Sequence, residues 1–409
     1  MARRLPPGLA YADPRGRIFF DEHVHPLLDG GDLRAPRPGE LIPAPPGTVP
    51  TILPGRVPLT RDGRALPQRV ALGALLPAGY TRLALPAYRA NPGAPVLPLF
   101  GYSFACVVDD ELHVAAMRTD ASDDWAPRAF GEGELEALVA ERRADDPASG
   151  TLAQLAICAE SYGCFTAQNV FLRRGEAALP VSPRCNARCV GCISEQDDGV
   201  GFPAPQLRIV EETDPEDLAR VALAHLACVP DGIVSFGQGC EGEPLLRSTT
   251  IARAIERIRA TTSDGTINLN TNGSMTRSLQ TLVDAGLDAV RISLNSFRPA
   301  TYAAYYRPLG YGLDDVFASI ALATGAGLRT SLNLLTHPGV TDDVDEVAAS
   351  DAFFAATPVT MVQTRTLNID PERYFGVVGR PTSPPLGMRE ALRRIAAAGV
   401  RVGNFTHAH

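Results

Sequence analysis

The stretch Ser182-Pro-Arg-Cys-Asn-Ala-Arg-Cys-Val-Gly-Cys-Ile-Ser194 brings three thiols within eight residues. The cysteines are Cys185, Cys189 and Cys192, and such a loop can place three thiolates around one metal centre. A structural zinc site usually has four ligands, with its cysteines in pairs. A four-iron cluster that is held by three thiolates keeps one iron open to a further ligand. The spacing therefore favours the four-iron cluster, and a zinc site is the alternative.

Length and composition indicate a globular protein of one large or two ordinary domains, with 409 residues and 45% hydrophobic side chains. We find no run of about 20 apolar residues that could cross a membrane, and the first residues lack the apolar core of a signal peptide. We therefore expect a cytoplasmic protein without a membrane partner. The net charge of -8 is spread without long like-charged blocks, which argues against nucleic acid as a partner.

The chain has no lysine, so its basic side chains are all arginine. A pyridoxal phosphate enzyme needs a lysine for its Schiff base, and a phosphate-binding P-loop needs a lysine as well. Both classes of protein are therefore excluded.

An irregular, β-containing domain of unknown role is predicted over residues 1–176. Its first part is rich in Pro and Gly, which favours loops with short extended pieces. Residues 99–108 and 112–117, on either side of Asp109-Asp110, predict a β-hairpin. A helix is predicted over residues 132–143, where apolar side chains recur on one face.

Residues 177–409 show a different sequence pattern, in which short apolar runs alternate with amphipathic helices. Asp214 as N-cap, followed by Pro215, marks the start of one helix. Strands that alternate with helices imply right-handed βαβ units and a parallel sheet. We therefore predict an α/β fold, a partial (β/α)6 barrel that is open on one side. Its predicted strands are residues 177–181, 232–236, 267–271, 289–294, 328–334 and 359–363.

Polar residues follow the predicted strands, at the edge where barrels of this kind hold their active sites. The cysteine loop follows the first strand, and the segment Gly237-Gln-Gly-Cys-Glu-Gly-Glu-Pro244 follows the second. Glycines in that segment permit close approach of the backbone to a ligand. Ser293 and Asn295 end the fourth strand and should face the same side, although each alone could simply satisfy loop backbone.

The cysteine loop, followed one strand later by Gly242-Glu243-Pro244, resembles the radical S-adenosylmethionine (SAM) superfamily. The resemblance covers residues 177–363. It implies two cofactors, a 4Fe-4S cluster and SAM, with three irons bound by Cys185, Cys189 and Cys192. The fourth iron would then bind SAM through its amine and carboxylate.

The same resemblance implies which residues contact SAM. The Gly242 backbone and the Glu243 carboxylate would hold its amino group, since a carboxylate is a natural partner of an ammonium group. Asn270 lies in a segment that looks like the superfamily's third-strand ending. Ser293 and Asn295 match positions where relatives contact the SAM ribose and carboxylate.

Two positions depart from the superfamily's pattern. Glu241 stands where the first glycine of the second motif is common. Gly191 stands where an aromatic residue often borders the adenine, so the adenine must find another wall.

The resemblance implies a radical SAM enzyme that takes an electron from a donor such as flavodoxin or ferredoxin. It would cleave SAM into methionine and a 5′-deoxyadenosyl radical, which abstracts hydrogen from a substrate. The sequence leaves open whether that substrate is a peptide or protein or a small molecule. A non-catalytic iron-sulfur or zinc module is the rival interpretation, but it would not need the segment Gly242-Glu243-Pro244.

Other residues give weaker indications. Asn333 in the fifth strand, and Gln363 or Arg365 at the sixth, could line the pocket. Cys158 and Cys164 could bind a second cluster, but two cysteines are too few without distant partners. Packing is therefore the favoured interpretation for both.

Overall fold

The computed structural model describes residues 6–120 and 125–405. The N-terminal part consists of short strands, as the Pro- and Gly-rich sequence predicts. They are β1 (Gly8–Ala12), β2 (Ile18–Asp21), β3 (Leu28–Asp29), β4 (Leu33–Arg34), β5 (Leu41–Pro43), β6 (Val49–Ile52), β7 (Arg56–Pro58), β8 (Val70–Leu75), β9 (Tyr80–Arg82), β10 (Leu85–Pro86), β11 (Tyr88–Ala90), β12 (Tyr102–Val108) and β13 (Glu111–Arg118). Eight of them form one sheet in the order β2-β1-β8-β12-β13-β5, with β6 beside β8 and β9 beside β13.

The predicted hairpin is confirmed as β12 and β13, which pair antiparallel with Val108 opposite Glu111. Asp109 and Asp110 form the turn, with φ angles of 51° and 62°. Two successive left-handed residues give the tight turn whose twist matches that of the flanking strands. Aspartate tolerates this conformation better than most residues with a side chain.

Three helices follow the antiparallel sheet: α1 (Glu134–Asp145), α2 (Gly150–Ser161) and α3 (Phe165–Leu172). The first of them confirms the helix predicted over residues 132–143. Leu155 and Phe171 lie in the same apolar core as Leu179 of the parallel sheet. These helices therefore pack on the barrel, and the domain boundary at residue 176 stays a prediction.

Seven strands form the second sheet, all parallel and paired in chain order. They are β14 (Glu176–Leu179), β15 (Ile233–Phe236), β16 (Thr266–Thr271), β17 (Ala289–Leu294), β18 (Arg329–Thr336), β19 (Met361–Thr366) and β20 (Arg401–Gly403). The first six confirm the predicted strands of a partial α/β barrel, with small shifts at their ends. The seventh corrects the predicted count of six. Its three residues are too few to stand out from the sequence as an apolar run.

Helices flank this sheet, and the carboxyl ends of the strands stay open. They are α4 (Pro215–Cys228), α5 (Ser248–Arg259), α6 (Thr276–Ala285), α7 (Pro299–Tyr306), α8 (Leu313–Gly325), α9 (Val344–Ala356), α10 (Pro371–Val378) and α11 (Met388–Ala397), with a short 3-10 helix over Pro244–Arg247. As predicted, Asp214 caps α4, where its carboxylate accepts from Glu216 N at 3.3 Å. In α5, Ile251, Ile255 and Ile258 are buried on one face. No helix within the described ranges is long and apolar enough to cross a membrane.

A buried ion pair joins the N-terminal part to the barrel. Arg56 Nη2 lies 2.7 Å from Asp370 Oδ2, and both side chains are 2% exposed. Arg56 Nη1 also donates to Pro95 O at 2.6 Å, and the Asp370 carboxylate accepts from Leu97 N at 2.7 Å. Asp370 caps α10 as well, through Glu372 N at 2.9 Å. The pair therefore fixes N-terminal loops against the segment that follows β19.

Candidate functional site

A cavity of about 500 Å³ opens at the carboxyl edge of the parallel strands. The loops after the strands converge at that edge, which is where a (β/α) barrel holds its site. The predicted site residues that line the cavity are Cys185, Cys189, Cys192, Gly242, Glu243, Asn270 and Ser293. Two of the weaker candidates, Asn333 and Arg365, line it as well.

Backbone hydrogen bonds hold the cysteine loop from two sides. Gly242 N donates to Ser182 O at 2.7 Å, and Glu243 N donates to Arg184 O at 2.8 Å. On the other side, the main chain of α7 accepts from Val190 N at 3.0 Å. The loop that carries the thiols is therefore attached both to the second motif and to a barrel helix.

The thiols are partly buried, and this burial bears on the centre that they could hold. It raises the pKa of the Cys185 thiol to about 11 and the pKa of the Cys189 thiol well above its usual range. Because metals bind the thiolate, a bound centre must displace these protons and supply positive charge in their place. In the ranges 6–120 and 125–405, no three histidine, cysteine or carboxylate side chains converge closely enough to hold a single metal ion.

Arg208 approaches the third cysteine of the loop. Its Nη2 lies 3.6 Å from Cys192 Sγ. The guanidinium is held in place by Ser194 Oγ, which accepts from Nε at 3.2 Å, and by Glu195 at 2.7 Å. Hydrogen bonds to the sulfurs and local charge set the reduction potential of an iron-sulfur cluster. A cation at this sulfur stabilises the additional electron of a reduced cluster.

If Cys192 ligates a cluster, we expect Arg208→Gln to lower the reduction potential of that cluster by roughly tens of millivolts, because the Cys192 sulfur loses its positive neighbour. A spectroelectrochemical titration of the cluster-loaded protein measures this shift. Arg253→Gln, on the exposed side of α5, is the matched control and should leave the potential where it is. If Arg208→Gln protein with its full iron content kept the wild-type reduction potential, Arg208 would not lie beside a sulfur that ligates the cluster.

Gly242 stands where the second motif passes the cysteine loop most closely. A Cβ atom at this position would lie 2.0 Å from Arg184 O and 2.9 Å from Cys185 N. Both neighbours are backbone atoms, which cannot turn aside as the end of a side chain can. The approach of the two loops therefore requires glycine at this position, whatever else its backbone contacts.

We expect Gly242→Ala to lower the free energy of unfolding by about 1–3 kcal/mol, the usual cost of forcing extra atoms into filled space. The displaced Cys185 should also lower the iron content after reconstitution. Urea unfolding and iron analysis measure the two effects. Gly376→Ala in α10 is the control, since a Cβ there meets nothing within 4 Å. Wild-type stability and iron content in Gly242→Ala would show that the two loops are not in forced contact.

Glu243 is 3% exposed, and both of its carboxylate oxygens are engaged. Oε1 accepts from Leu245 N at 2.9 Å and from the Thr271 hydroxyl, while Oε2 accepts from Asn272 N at 2.9 Å. Burial raises the pKa of this carboxyl group to about 7. A carboxylate offers about four acceptor positions. One position on Oε2 is therefore left for an ammonium group that enters the cavity.

Glu241, which replaces the superfamily's common glycine, fastens the ends of the first two barrel strands together. Its Oε2 accepts from Val181 N at 2.9 Å and from Ser182 N at 2.7 Å. Its Oε1 accepts from Gln238 N at 2.6 Å. Burial raises the pKa of Glu241 to about 8. The sequence did not reveal this role, because two of the three partners lie about 60 residues earlier in the chain.

Asn270 and Ser293 line the cavity from adjacent strands. Asn270 Nδ2 donates to Gly237 O at 2.8 Å, which orients the amide. Asn333 lies in register with Ser293, and its Nδ2 reaches the Ser293 hydroxyl only at 3.5 Å. Asn333 Oδ1 is buried, and no described residue donates a hydrogen bond to it. Since buried polar atoms are nearly always paired, this oxygen is suited to a donor from a ligand.

Asn295 and Gln363 are not among the described residues that line the cavity. Asn295 is 1% exposed, and its Nδ2 donates to the Tyr374 hydroxyl at 3.1 Å. Strand β17 ends one residue earlier, so the alternation that placed Asn295 beside Ser293 no longer applies. Gln363 is also 1% exposed and lies deeper in the barrel, two residues before Arg365.

Tyr305 occupies the space that Gly191 leaves open. A Cβ atom at Gly191 would lie 2.9 Å from the Tyr305 hydroxyl oxygen. Tyr305 and Tyr306 both line the cavity. Helix α7 therefore supplies the aromatic wall that the cysteine loop lacks. The signal that sequence reasoning missed is the recurrence of tyrosine on one helix, with Tyr302 a turn earlier.

Cys158 and Cys164 lie near a third cysteine. Cys158 and Cys240 both belong to the apolar core. Cys164 lines the cavity. All eight cysteines of the chain are free thiols. The burial of Cys158 and Cys240 agrees with the packing interpretation.

Residues 179–350 match the model of the Radical SAM superfamily. This part of the chain is therefore a radical SAM domain, and the cofactors of that superfamily are a 4Fe-4S cluster and SAM. The resemblance on which the sequence prediction rested is thereby confirmed.

Curated relatives match about half of the chain. The GTP 3',8-cyclase of Acidothermus cellulolyticus is 34% identical over 177 residues, 42% of this chain and 46% of that protein. The GTP 3',8-cyclase 1 of Pseudomonas aeruginosa is 32% identical over 223 residues, 54% of this chain and 60% of that protein. The chain thus spans about half the length of the curated relatives that it matches. Among solved structures, a radical SAM methyltransferase from Sphaerobacter thermophilus is 14% identical, with a TM-score of 0.38 over 56% of this chain and 64% of that one.

Proposed function

We propose that this protein is a radical SAM enzyme that cleaves SAM reductively with a 4Fe-4S cluster. The observation that supports it most strongly is that the three thiols of the cysteine loop and the Glu243 carboxylate line one cavity at the carboxyl edge of the barrel. A non-catalytic iron-sulfur or zinc module would have no use for a carboxylate with an acceptor position left over. It would also not need an open cavity of about 500 Å³ beside its metal centre.

In this proposal Cys185, Cys189 and Cys192 ligate three irons of the cluster. When bound and reduced, the cluster supplies the electron that cleaves SAM to methionine and a 5′-deoxyadenosyl radical, which takes a hydrogen atom from the substrate. The three ligands come from one loop that backbone hydrogen bonds attach to the barrel. The loop therefore carries the ligands to the cavity.

The remaining residues bind and orient SAM. Glu243 accepts its ammonium group at the open position on Oε2, beside the Gly242 backbone. Asn270 and Ser293 provide polar contacts from the ends of β16 and β17. Asn295 does not line the cavity in the described structure, and its contact with SAM stays a prediction. Tyr305 provides the wall for the adenine that Gly191 cannot.

The electron comes, in this proposal, from a flavodoxin or a ferredoxin. A second depression, lined by Cys189 and Cys192 together with Arg188 and Arg373, lies on the other side of the cysteine loop. It brings the protein surface close to two of the three ligands. We also propose the cytoplasm as the compartment, since free thiols are the rule in a reducing environment and all eight cysteines are free.

A small molecule is the favoured substrate class. The relatives reported above are named for a reaction of GTP. The cavity volume of about 500 Å³ lies within the range of about 300–1,000 Å³ that is usual for small-molecule sites. A peptide or protein substrate is the alternative that the sequence left open. The role of the N-terminal region, residues 1–176, is not assigned.

The direct test is SAM cleavage by the full-length protein. After anaerobic reconstitution with iron and sulfide the protein should be brown, and with dithionite and SAM it should release 5′-deoxyadenosine and methionine in equal amounts. Chromatography with mass spectrometry measures both products. Addition of GTP or other candidate substrates should accelerate cleavage when the right class is present. A protein with its full iron content that leaves SAM intact would overturn the proposal.

A further inference from the structure

The cavity has a charged floor that the binding of SAM by Glu243 does not use. Glu176 on β14, Arg291 on β17 and Arg365 on β19 all line it. Arg291 precedes Ser293 by two residues, so both side chains face the barrel interior. Arg365 lies in register with Leu335, which also lines the cavity. The three charged residues thus come together from strands far apart in the sequence.

Two of these three charges are matched within the protein. Glu176 Oε1 accepts from the Ser235 hydroxyl at 2.6 Å and lies 3.5 Å from Arg291 Nη1. Glu176 is 5% exposed and Arg291 is 7% exposed, so these two residues form a buried ion pair. Their charges cancel, and the pair adds no net charge to the floor.

Arg365 differs from Arg291. Within the described residues, its guanidinium makes no hydrogen bond and no ion pair. Burial and the nearby Arg291 cation lower the pKa of Arg365, and Glu176 and Asp120 act in the opposite direction, with a net result of about 10. The Asp120 carboxylate is itself engaged by Asn404 N at 2.7 Å. The floor therefore carries one excess positive charge without an acceptor for its N–H groups.

Burying such a cation costs free energy unless it is paired with an anion. A buried charge is tolerated when it is paired and hydrogen-bonded. The planar fork of an arginine matches a carboxylate or a phosphate through two parallel hydrogen bonds. The unpaired acceptor Asn333 Oδ1 lies on β18, the strand between those of Arg291 and Arg365. A ligand with an anionic group could accept hydrogen bonds from the Arg365 guanidinium. A neighbouring hydroxyl or amine of the same ligand could donate to Asn333 Oδ1.

We propose that Arg365, supported by Arg291 and Asn333, is the subsite for an anionic group of the substrate, a carboxylate or a phosphate. This inference rests on the proposed function, since it assigns the part of the same cavity that SAM does not fill. Glu243 follows β15 and Arg365 lies on β19, at the other end of the sheet from the proposed SAM amino group. The subsite restricts the substrate class to anions.

The test measures binding of anionic probes to cluster-loaded protein that is saturated with SAM. Pyrophosphate, GTP and glutarate are titrated separately by calorimetry, so that phosphate and carboxylate chemistry are distinguished. We expect at least one of them to bind saturably and more weakly as salt rises. Arg365→Gln should lower the affinity for that probe by roughly tenfold or more, the loss expected for hydrogen bonds to a charged group. Arg365→Lys keeps the positive charge but lacks the planar guanidinium. Its affinity for the probe should lie between those of the wild type and Arg365→Gln.

Three controls separate this inference from the proposed function. Arg253→Gln, an exposed arginine on α5, should bind the probe as the wild type does. SAM affinity is measured in Arg365→Gln as well, because a loss of SAM binding in place of probe binding would assign the arginine to the cofactor. Failure of the wild type to cleave SAM would count against the proposed function, whatever the probes do.

Three results would overturn the anionic subsite. In the first, no probe binds the wild type. In the second, the probe binds Arg365→Gln and wild type equally well. In the third, Arg365→Gln lowers the affinity for SAM instead of the affinity for the probe, which would assign the arginine to the cofactor. If Arg365→Gln does not fold, the probe affinity of Arg365→Lys and the salt dependence of the wild type decide the question.

Discussion

The triple variant Cys185→Ala, Cys189→Ala and Cys192→Ala is expected to bind no iron-sulfur cluster and to leave SAM intact. Three ligands are lost at once, and no other described cysteine lies on the same loop to replace them. Iron analysis, the visible absorption of the reconstituted protein and the yield of 5′-deoxyadenosine measure the loss. All three should fall to the background of protein-free samples.

This variant should keep its fold. A loss of cluster and of SAM cleavage can then be attributed to the missing thiols. The loop is attached by backbone hydrogen bonds to the second motif and to α7, and these do not involve the thiols. Cys228→Ala is the matched control, since Cys228 is exposed on α4, and it should keep both cluster and activity. A triple variant that still binds a redox-active cluster and cleaves SAM would refute the assignment of the ligands.

Arg56→Met should lower the free energy of unfolding by about 3–5 kcal/mol, the usual cost of leaving one member of a buried ion pair without its partner. The Asp370 carboxylate is 2% exposed and would stay buried at the start of α10 without its cationic partner. The pair ties the N-terminal loops to the segment after β19, so the barrel edge near the cavity should loosen as well. Urea unfolding followed by circular dichroism measures the change.

The control for this variant is Arg89→Met, on the neighbouring strand β11, where the side chain is exposed. Substitutions at exposed positions usually change stability by less than about 0.5 kcal/mol. A loss of less than about 1 kcal/mol in Arg56→Met, the range of surface ion pairs, would show that the Arg56–Asp370 pair does not hold the two parts together.

The barrel could be predicted from the sequence because its strands are continuous apolar runs with turn signals between them. Strand β17, at Ala289–Leu294, begins and ends at the predicted residues. The Asp214-Pro215 start of α4 is equally local and equally well predicted. Strand β20 was missed because its three residues form a strand only through pairing with β19. The sequence shows local patterns, whereas this strand depends on a distant partner.

The same distinction applies to the site. The cysteine loop and the Gly242-Glu243-Pro244 segment are short motifs, and they could be identified without a structure. Tyr305 could not, because its role follows from its approach to Gly191 across more than a hundred residues. Arg291 and Glu176 were missed for the same reason, since the sheet brings them together. Asn295 was placed in the site by an alternation that ends with the strand, one residue before it.

We propose that the three thiols hold a cluster whose open iron binds SAM. This claim is tested most directly by adding SAM to the reduced, cluster-loaded protein and recording the electron paramagnetic resonance spectrum. SAM labelled with ¹⁵N in its amino group and ¹⁷O in its carboxylate should change the spectrum and show magnetic coupling of both labels to the cluster. A spectrum of the reduced cluster that stays the same with saturating SAM, and shows no coupling to either label, would contradict the claim.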